Sequence, residues 1–390
     1  MKAFSAFLLC TLLLFATLVP AAAASAQTAG TPAGKAQQVK SAIVIEEGTG
    51  KVLYQMNADK ELPPASMTKI MTLLLIFKAL SRHQISLNDK VTVSEHAASM
   101  GGSQVFLEPG ETMTVNEMLK AIAIASGNDA SMAMAEYIAG SEKAFVQQMN
   151  QEAKSLGLTH TKFQNPTGLP VQDHYSSAHD MAVMARELAR YDQVFNYTSK
   201  YEDYLRQNTD KKFWLVNTNK LIKTYPGADG LKTGFTNEAK YCLTATAKRG
   251  SMRVIAVVMG APSPKERNKE VAALMDEAFA NYTTKQILGK NATVASAKVN
   301  KGSRGQVPVV TGNPAVLLLK KGEDANGLQK KVDIPHSLQA PIKAGTVVGY
   351  YTISKNHQVI SRTPLVVNEN IKRASWWQLF KRSAGSILTH

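Results

Sequence analysis

The chain has 390 residues, a formal net charge of +15, and 44% hydrophobic against 19% charged residues. This length and composition are typical of a globular protein with two or three domains and a sizeable core. The positive charge favours an anionic partner such as nucleic acid, anionic lipid or a wall polymer. Because the sequence has no zinc knuckle, RNA-binding signature or basic-aromatic interleaving, we do not expect nucleic acid to be that partner.

The N-terminal segment is typical of a secretory signal peptide. Lys2 supplies the positive start, residues 7–19 an apolar run, and residues 24–26 a small-residue cleavage site. The sequence therefore predicts a signal over residues 1–26 and an exported protein. Residues 27–37 are rich in Ala, Gly, Thr and Pro, and predict a flexible start to the mature chain.

The first predicted elements are two strands and a buried helix. Strand-like runs at 42–46 and 51–56 flank a glycine-containing turn, which predicts a β-hairpin. Residues 70–77 are apolar almost all round, which is typical of a helix inside a domain core.

Ser66 and Lys69 stand at the start of this helix. Their three-residue spacing places them on one helical face. A serine hydroxyl needs a nearby base to become a nucleophile, and a lysine can be that base when burial lowers its pKa. Alone the pair is weak evidence, because a helix-capping serine followed by a surface lysine is common.

A second polar motif lies between two apolar helices. Thr114 and Glu117 resemble a capping box that starts a helix running to residue 125. Ser126-Gly127-Asn128 follows, and residues 129–138 predict the next helix. We expect this polar turn to have a fixed position, because both of the helices that flank it are buried. Further helices are predicted at 144–156 and 177–188.

The third motif, Lys232-Thr233-Gly234, lies on a predicted strand at 229–235. Strands at 241–247 and 252–259 complete an antiparallel meander. Together with the N-terminal hairpin they predict a five-stranded antiparallel sheet, which a helix at 266–282 closes. The fold class is therefore α+β, with flanking helices and a helical subdomain, and we expect this domain to span residues 38–285.

The remainder of the chain changes in composition. Residues 290–367 predict a small all-β domain, because short alternating or apolar runs are separated there by Gly and Lys. The predicted strands are at 294–299, 306–310, 315–319, 347–353 and 359–367. Residues 370–390 predict an amphipathic helix lying on an anionic membrane surface, because adjacent Trp376 and Trp377 stand among basic residues. The alternative is a helix docked on its own domain.

Metal binding is not expected. His174 and His179 do not share a helical face, and no partner ligands surround them in the sequence. Structural or surface roles are therefore favoured for both histidines.

The three motifs occur in order, 60 and 106 residues apart. This arrangement resembles the penicillin-binding, active-site-serine family, and Ser-Gly-Asn as the second motif resembles its low-molecular-weight D-alanyl-D-alanine carboxypeptidases. The resemblance implies a β-lactamase/transpeptidase-like fold, peptidoglycan stem peptides as substrates, acylation by β-lactam antibiotics, and no cofactor. It also implies a location at the outer face of the cytoplasmic membrane or in the cell wall.

The resemblance gives three motif residues a catalytic role. Ser66 is the expected nucleophile, which attacks the carbonyl of the penultimate D-alanine and forms an acyl-enzyme. Lys69, in its neutral form, is the expected general base. Ser126 is expected to relay a proton to the departing amine.

The other motif residues are expected to bind substrate. Asn128 offers an amide to the substrate backbone. Lys232 depresses the pKa of Lys69 and attracts the terminal carboxylate, which the Thr233 hydroxyl can bind. Gly234 leaves room for substrate along the strand.

An oxyanion hole is also implied by the resemblance, from the backbone N–H groups of Ser66 and Phe235. Phe235 departs from some relatives, which carry histidine after the Lys-Thr-Gly motif. A backbone role is compatible with phenylalanine, whereas a side-chain role in deacylation is not.

Several alternatives remain open at this point. A class A β-lactamase would need a glutamate on a loop, and none occurs between Glu152 and Glu187. A transpeptidase or endopeptidase would use the same acyl-enzyme, so the motifs do not separate them from a carboxypeptidase. A non-catalytic wall-binding protein would not need two lysines buried beside Ser66.

Overall fold

The computed structural model describes residues 39–378. The predicted signal, the flexible start and residues 379–390 of the predicted tail helix lie outside this range. As far as Asn281, the elements in chain order are β1 (Ser41–Glu46), β2 (Val52–Met56), a 3₁₀ turn (Ala65–Thr68), α1 (Lys69–Ser81), β3 (Lys90–Thr92), α2 (Glu95–Ala98), β4 (Thr112–Thr114), α3 (Val115–Ala123), α4 (Asn128–Ala139), α5 (Glu142–Ser155), α6 (Ala178–Ala189), a 3₁₀ turn (Asp192–Val194), α7 (Phe195–Thr198), β5 (Glu202–Leu205), β6 (Phe213–Val216), α8 (Leu221–Thr224), β7 (Ala228–Thr236), β8 (Lys240–Arg249), β9 (Met252–Ala261) and α9 (Pro264–Asn281).

The predicted five-stranded antiparallel sheet is confirmed. Its strand order is β2-β1-β9-β8-β7, so the N-terminal hairpin joins the meander through β1 and β9. All six residues of β1 are buried because helices cover both faces of the sheet. Ile43 and Ile45 face the core formed with α1, α3 and α4, whereas Ala42 and Val44 face the core formed with α9.

Helix α1 runs through the middle of the helical subdomain. Its residues 70–77 are all buried, as their apolar character predicted. Ser66 does not belong to this helix but to the 3₁₀ turn just before it. The capping box is present: the Thr114 side chain accepts from the Glu117 backbone, and Glu117 in turn accepts from the Thr114 N–H.

The trailing part of the chain forms a small all-β domain, as predicted. The strands of this domain are β10 (Tyr282–Leu288), β11 (Thr293–Asn300), β12 (Gln306–Thr311), β13 (Ala315–Lys320), β14 (Gln329–Asp333), β15 (Ser337–Gln339), β16 (Val347–Lys355) and β17 (Gln358–Val366). Six of them form a sheet with the order β14-β16-β17-β12-β11-β15, and β10 pairs with β13 in a separate two-stranded sheet.

Three of these strands were not predicted: β10, β14 and β15. β14 consists of exposed residues only, so it has no alternating apolar pattern for the sequence to reveal. β10 begins directly after α9 and crosses the boundary expected at residue 285. Since β10 pairs with β13, the β domain begins at about Tyr282.

The start of the predicted tail helix differs from expectation. Ile371 is buried and pairs with Ile342, which keeps this segment extended against the β domain. Helical conformation begins only at Trp376, after Ser375, whose hydroxyl accepts a hydrogen bond from the Gln378 N–H. Within residues 39–378 no helix is long and apolar enough to cross a membrane.

Candidate active site

The Ser66 turn is held in place by a glycine of a neighbouring loop. A Cβ atom added at Gly168 would lie 1.9 Å from the Ala65 carbonyl oxygen, and Gly168 has a φ of +85°. Only glycine permits this approach in this backbone conformation. The loop carrying Gly168 therefore presses directly on the backbone that positions Ser66.

Lys69 is fully buried beside Ser66. Its Nζ atom lies 3.0 Å from Ser66 Oγ and donates to Asn128 Oδ1 at 2.6 Å and to the Thr167 carbonyl at 2.7 Å. Burial holds the pKa of Lys69 well below its usual range, the Lys232 charge lowers it further, and Asp129 opposes both effects. A lysine in this state can accept a proton from Ser66.

Ser126 occupies the turn between α3 and α4. Its φ is +65°, in the left-handed region that non-glycine residues rarely adopt. Its hydroxyl is buried and has no hydrogen-bond partner within residues 39–378. A buried hydroxyl of this kind carries a free-energy cost that a substrate group can relieve.

Asn128 connects the second motif to the first. Besides accepting from Lys69, its amide donates one hydrogen to the Gly101 carbonyl at 2.6 Å. Because an amide nitrogen has two hydrogens, one remains for the predicted bond to substrate. Asp129 anchors the same turn, since its Oδ2 accepts from the backbone of Val105 and Leu107.

The third motif lies on edge strand β7. Lys232 is buried, and its Nζ donates to the Thr233 carbonyl at 3.1 Å. Burial, reinforced by the nearby Arg267 guanidinium, lowers the pKa of Lys232 to about 7. A Cβ added at Gly234 would lie 2.7 Å from the Pro64 carbonyl oxygen, so glycine lets β7 approach the Ser66 turn. Phe235 is half exposed and stacks on Tyr241, with ring centroids 4.4 Å apart.

These segments meet at a cleft of about 380 Å³. Five of the eight predicted site residues line it, while Lys69, Asn128 and Lys232 are buried next to them. The lining consists of Ser66, Ser103, Ser126, Thr218, Lys220, Thr233, Gly234, Phe235, Tyr241, Pro264, Arg267 and Asn268.

Three contributors to the site were missed at the sequence level. Thr167 contributes a backbone carbonyl, and Thr218 accepts a hydrogen bond from the Thr233 hydroxyl at 2.7 Å. Arg267 is 95% buried at the cleft although it is cationic. Its position four residues before Val271, on the apolar side of α9, was the one available signal. The contacts of Thr167 and Thr218 have no recognisable pattern in the sequence around these residues.

His174 has a structural environment. Its Nδ1 accepts from the Gln164 backbone at 3.1 Å, and its Nε2 lies 2.8 Å from Thr68 Oγ1. Burial lowers the pKa of His174 to about 4, so the ring is neutral at pH 7. Within the described part of the chain, no group of three or more His, Cys, Asp and Glu side chains could hold a metal ion.

A family model described as D-alanyl-D-alanine carboxypeptidase matches residues 25–263. The chain belongs to this family. Members of the D-alanyl-D-alanine carboxypeptidase family are serine carboxypeptidases that act on peptidoglycan peptides and bind β-lactams, and this is the enzyme class of the chain. A second model, described as penicillin-binding protein 5, C-terminal domain, matches residues 282–373 and corresponds to the β domain.

Two D-alanyl-D-alanine carboxypeptidases are similar in sequence to this chain over most of its length. The chain is 56% identical to D-alanyl-D-alanine carboxypeptidase DacF of Bacillus subtilis over 350 residues, 90% of each chain. It is 36% identical to DacC of Escherichia coli, covering 92% of this chain and 90% of the relative.

Solved structures of penicillin-binding proteins share the fold of this carboxypeptidase. Penicillin-binding protein 5 of Haemophilus influenzae superimposes with a TM-score of 0.68 at 28% identity, covering 88% of this chain and all of that structure. Penicillin-binding protein D2 of Listeria monocytogenes, solved in an ampicillin-bound form, superimposes with a TM-score of 0.57 at 32% identity. This match covers 63% of this chain and 99% of that structure.

Proposed function

We propose that the chain releases the C-terminal D-alanine from peptidoglycan stem peptides through an acyl-enzyme on Ser66. One observation carries the assignment of this residue: Lys69 Nζ is fully buried and lies 3.0 Å from Ser66 Oγ. With its pKa held well below the usual range, Lys69 can take the hydroxyl proton, which a solvated lysine at pH 7 cannot.

Acylation joins Ser66 Oγ to the carbonyl carbon of the penultimate D-alanine while the hydroxyl proton passes to Lys69. The backbone N–H groups of Ser66 and Phe235 stabilise the oxyanion that forms, each by roughly 3–4 kcal/mol. The C–N bond to the terminal D-alanine then breaks. Ser126 relays a proton to the departing amine, a role that the absence of a described partner for its buried hydroxyl supports.

The leaving group carries a carboxylate, and the cleft offers it several donors. Thr233 and Thr218 provide hydroxyl groups, and Arg267 provides a guanidinium on the opposite element, α9. Lys232 adds a buried cationic centre whose pKa of about 7 keeps part of its population charged at neutral pH. A substrate whose C-terminus is uncharged, such as a peptide amide, would give these donors no anion to bind.

Deacylation returns the enzyme to its starting state. A water molecule attacks the acyl ester, its proton passes to Lys69 in the neutral form, and Ser66 recovers its hydroxyl as the shortened peptide leaves. Phe235 contributes only its backbone, because its aromatic side chain has no proton to exchange.

The decisive experiment compares wild-type protein with Ser66→Ala, and uses Ser199→Ala as a control at an exposed serine. We expect Ser66→Ala to abolish D-alanine release and labelling by a fluorescent penicillin, since loss of a nucleophile can cost on the order of 10⁶ in rate. Mass spectrometry should place the wild-type adduct on the peptide that contains Ser66. An adduct on another residue would overturn the assignment, and transfer of the acyl group to an added D-amino acid would identify a transpeptidase instead.

The proposal extends to location. Residues 1–26 serve as an export signal, and the end of the chain attaches the enzyme to the outer face of the cytoplasmic membrane. Two observations support attachment: the stacked Trp376 and Trp377 side chains are 73% and 55% exposed, and basic residues precede them. Exposed tryptophans next to cations suit an anionic membrane interface.

A further inference from the structure

A cavity of about 760 Å³ lies at the far ends of the two helices that begin with Lys69 and Asn128. It is bounded by α1, α4 and α5, which pack against one another. Lys78 of α1 lies nine residues beyond Lys69, and Tyr137 of α4 lies nine residues beyond Asn128. Each helix therefore rises about 13–14 Å between the Ser66 cleft and this cavity. Among the described residues, none lines both sites.

Polar side chains form most of the wall of this cavity. Eight of its twelve lining residues are polar or charged, among them three glutamines, Gln84, Gln148 and Gln151. Sites for drug-like ligands have similar volumes, of about 300–1,000 Å³, but their lining is predominantly apolar. The cavity between α1, α4 and α5 therefore suits a hydrophilic ligand.

Glu152 has a hydrogen-bonding capacity that the described residues do not use. Its Oε2 accepts from Lys78 Nζ at 2.5 Å, whereas its Oε1 is buried and has no partner within residues 39–378. A buried acceptor in this state carries a free-energy cost. Because the Glu152 side chain is 11% exposed and lines the cavity, a hydroxyl or amide hydrogen of a bound molecule can reach this carboxylate and relieve that cost.

The charges around the cavity disfavour an ionic ligand. Lys78 and Glu152 form an ion pair, and Arg82 adds a guanidinium for which the described part of the chain provides no hydrogen bond or ion pair. An anion in the cavity would face the Glu152 carboxylate, and a cation would face Lys78 and Arg82. A neutral molecule with both donors and acceptors meets neither repulsion, since it can donate to Glu152 and accept from Arg82.

The remaining part of the wall suits the carbon framework of such a molecule. Ile85 and Ile138 supply apolar surface, and Tyr137 is 40% exposed while its hydroxyl donates to Asp89 Oδ2 at 3.3 Å. A tyrosine held by its hydroxyl can pack its apolar ring against C–H groups. Hydroxyl and amide groups around a ring whose faces consist of C–H groups are the chemistry of an amino sugar.

We infer that this cavity binds an N-acetylated amino sugar of a glycan strand. The sugar hydroxyl groups donate to Glu152 and bond to the Gln148 and Gln151 amides, and the acetamido carbonyl accepts from Arg82. The choice of this sugar rests on the proposed function, because peptidoglycan peptides are attached to strands of such sugars. The lining of the cavity does not depend on the role of Ser66. The cavity thus holds the polymer at a place remote from the cleft that receives its peptides.

The test measures binding of chitotetraose, a soluble tetramer of N-acetylglucosamine, to the full mature chain by isothermal titration calorimetry. We expect a Kd of about 1 mM or below, the range that a few hydrogen bonds can reach. Gln148→Ala and Gln151→Ala should each weaken binding roughly threefold to tenfold, as for the loss of one hydrogen bond. Gln147→Ala is the matched control, because Gln147 is exposed on the same helix and does not line the cavity.

Two further comparisons test the chemistry of recognition. Glu152→Gln should weaken binding at least tenfold, as for a hydrogen bond to a charged group. Since this substitution also removes the ion pair with Lys78, thermal unfolding checks that the variant is folded, and the two exposed glutamine positions decide the test if it is not. Cellotetraose, which has hydroxyl groups in place of the acetamido groups, should bind at least threefold more weakly than chitotetraose.

Measurements with an altered or occupied cleft separate this inference from the proposed function. Ser66→Ala protein, which should release no D-alanine, should bind chitotetraose as tightly as wild-type protein, and so should wild-type protein carrying bound penicillin. Loss of binding in either case would place the sugar in the Ser66 cleft. That result, no binding of chitotetraose, equal affinity for cellotetraose, or wild-type affinity in both glutamine variants overturns the inference. Absence of D-alanine release by a wild-type protein that binds chitotetraose in this way overturns the proposed function alone.

Discussion

Lys69 Nζ lies 3.0 Å from Ser66 Oγ, and the lysine side chain is inaccessible to solvent. Two oxygen acceptors from other parts of the chain, Asn128 Oδ1 and the Thr167 carbonyl, fix the ammonium or amine in this position. The proposed nucleophile and base are therefore held together by groups 59 and 98 residues away in sequence from the lysine.

Lys69→Arg tests the role of the lysine as base. A guanidinium keeps the positive charge but is not deprotonated in a protein, so it cannot accept the Ser66 proton. We expect penicillin acylation to fall nearly as far as in Ser66→Ala, measured as the rate of adduct formation by mass spectrometry. Substantial acylation of the arginine variant would assign Lys69 an electrostatic role only.

Gly168→Ala tests the contact between the loop and the Ser66 turn. The added Cβ would lie 1.9 Å from the Ala65 carbonyl oxygen, so the turn must move and acylation should fall by at least tenfold, the effect of about 1.4 kcal/mol. Gly110→Ala is the matched control, because Gly110 has a similar φ of +79° with no atom within 4 Å of the added Cβ. Both variants should lose roughly 1–2 kcal/mol of stability from backbone strain. Equal acylation rates in the two variants would rule out the positioning role.

Arg267→Gln tests recognition of the leaving carboxylate. Loss of a charge-assisted hydrogen bond of about 1.5–3 kcal/mol should lower kcat/KM for D-Ala-D-Ala peptides by on the order of 10- to 100-fold. Arg249→Gln, at a partly exposed arginine that does not line the cleft, is the control and should change kcat/KM little. An Arg267→Gln enzyme with wild-type kcat/KM would show that the guanidinium does not contact the substrate.

The pH dependence of stability should report the burial of Lys232. Its pKa is about 7 in the folded chain, whereas an unfolded lysine titrates near its ordinary value of about 10.4. Between these values the unfolded chain binds the extra proton, so the free energy of unfolding rises with pH, by up to about 1.4 kcal/mol per pH unit. The contribution of Lys232 to the free energy of unfolding is therefore fully present above the pKa of the unfolded lysine. It is lost as the pH falls towards the folded pKa of about 7.

The measurement compares urea unfolding of wild-type protein and Lys232→Met between pH 7 and 9. Because the methionine side chain does not titrate, the stability of the wild-type protein relative to the variant should increase across this range. A difference that stays constant with pH would show that Lys232 keeps an ordinary pKa in the folded chain.

Membrane attachment is tested by removing residues 376–390. The cut falls after Ser375 because Ile371 is buried in the β domain, and its removal would damage that domain as well as the tail. In sedimentation with liposomes, we expect the full mature chain to bind anionic vesicles and the shortened chain to remain free with full carboxypeptidase activity. Binding should weaken at high salt, since each basic residue near an anionic surface contributes roughly 1 kcal/mol. Equal sedimentation of both proteins would exclude the anchor.

The sequence by itself determined the positions of the three motifs and those local elements that have a clear short-range pattern. Strand alternation, a continuous apolar run and a capping box are short-range signals, so β1, α1 and the Thr114–Glu117 helix start were predictable. The tail was predictable only as an amphipathic segment, because the isolated bridge between Ile371 and Ile342 joins it to a part of the β domain that is distant in sequence.

Only the tertiary structure decided which groups surround the motifs. Thr167 reaches Lys69 with a backbone carbonyl, a group that every residue carries, so no sequence pattern marks it. Arg267 acquires its proposed role from the cleft it lines, and Lys232 acquires its low pKa from burial next to Arg267. The physical reason is the same in each case: burial and long-range contact set charge and reactivity, whereas periodicity along the chain encodes only which face of an element is apolar.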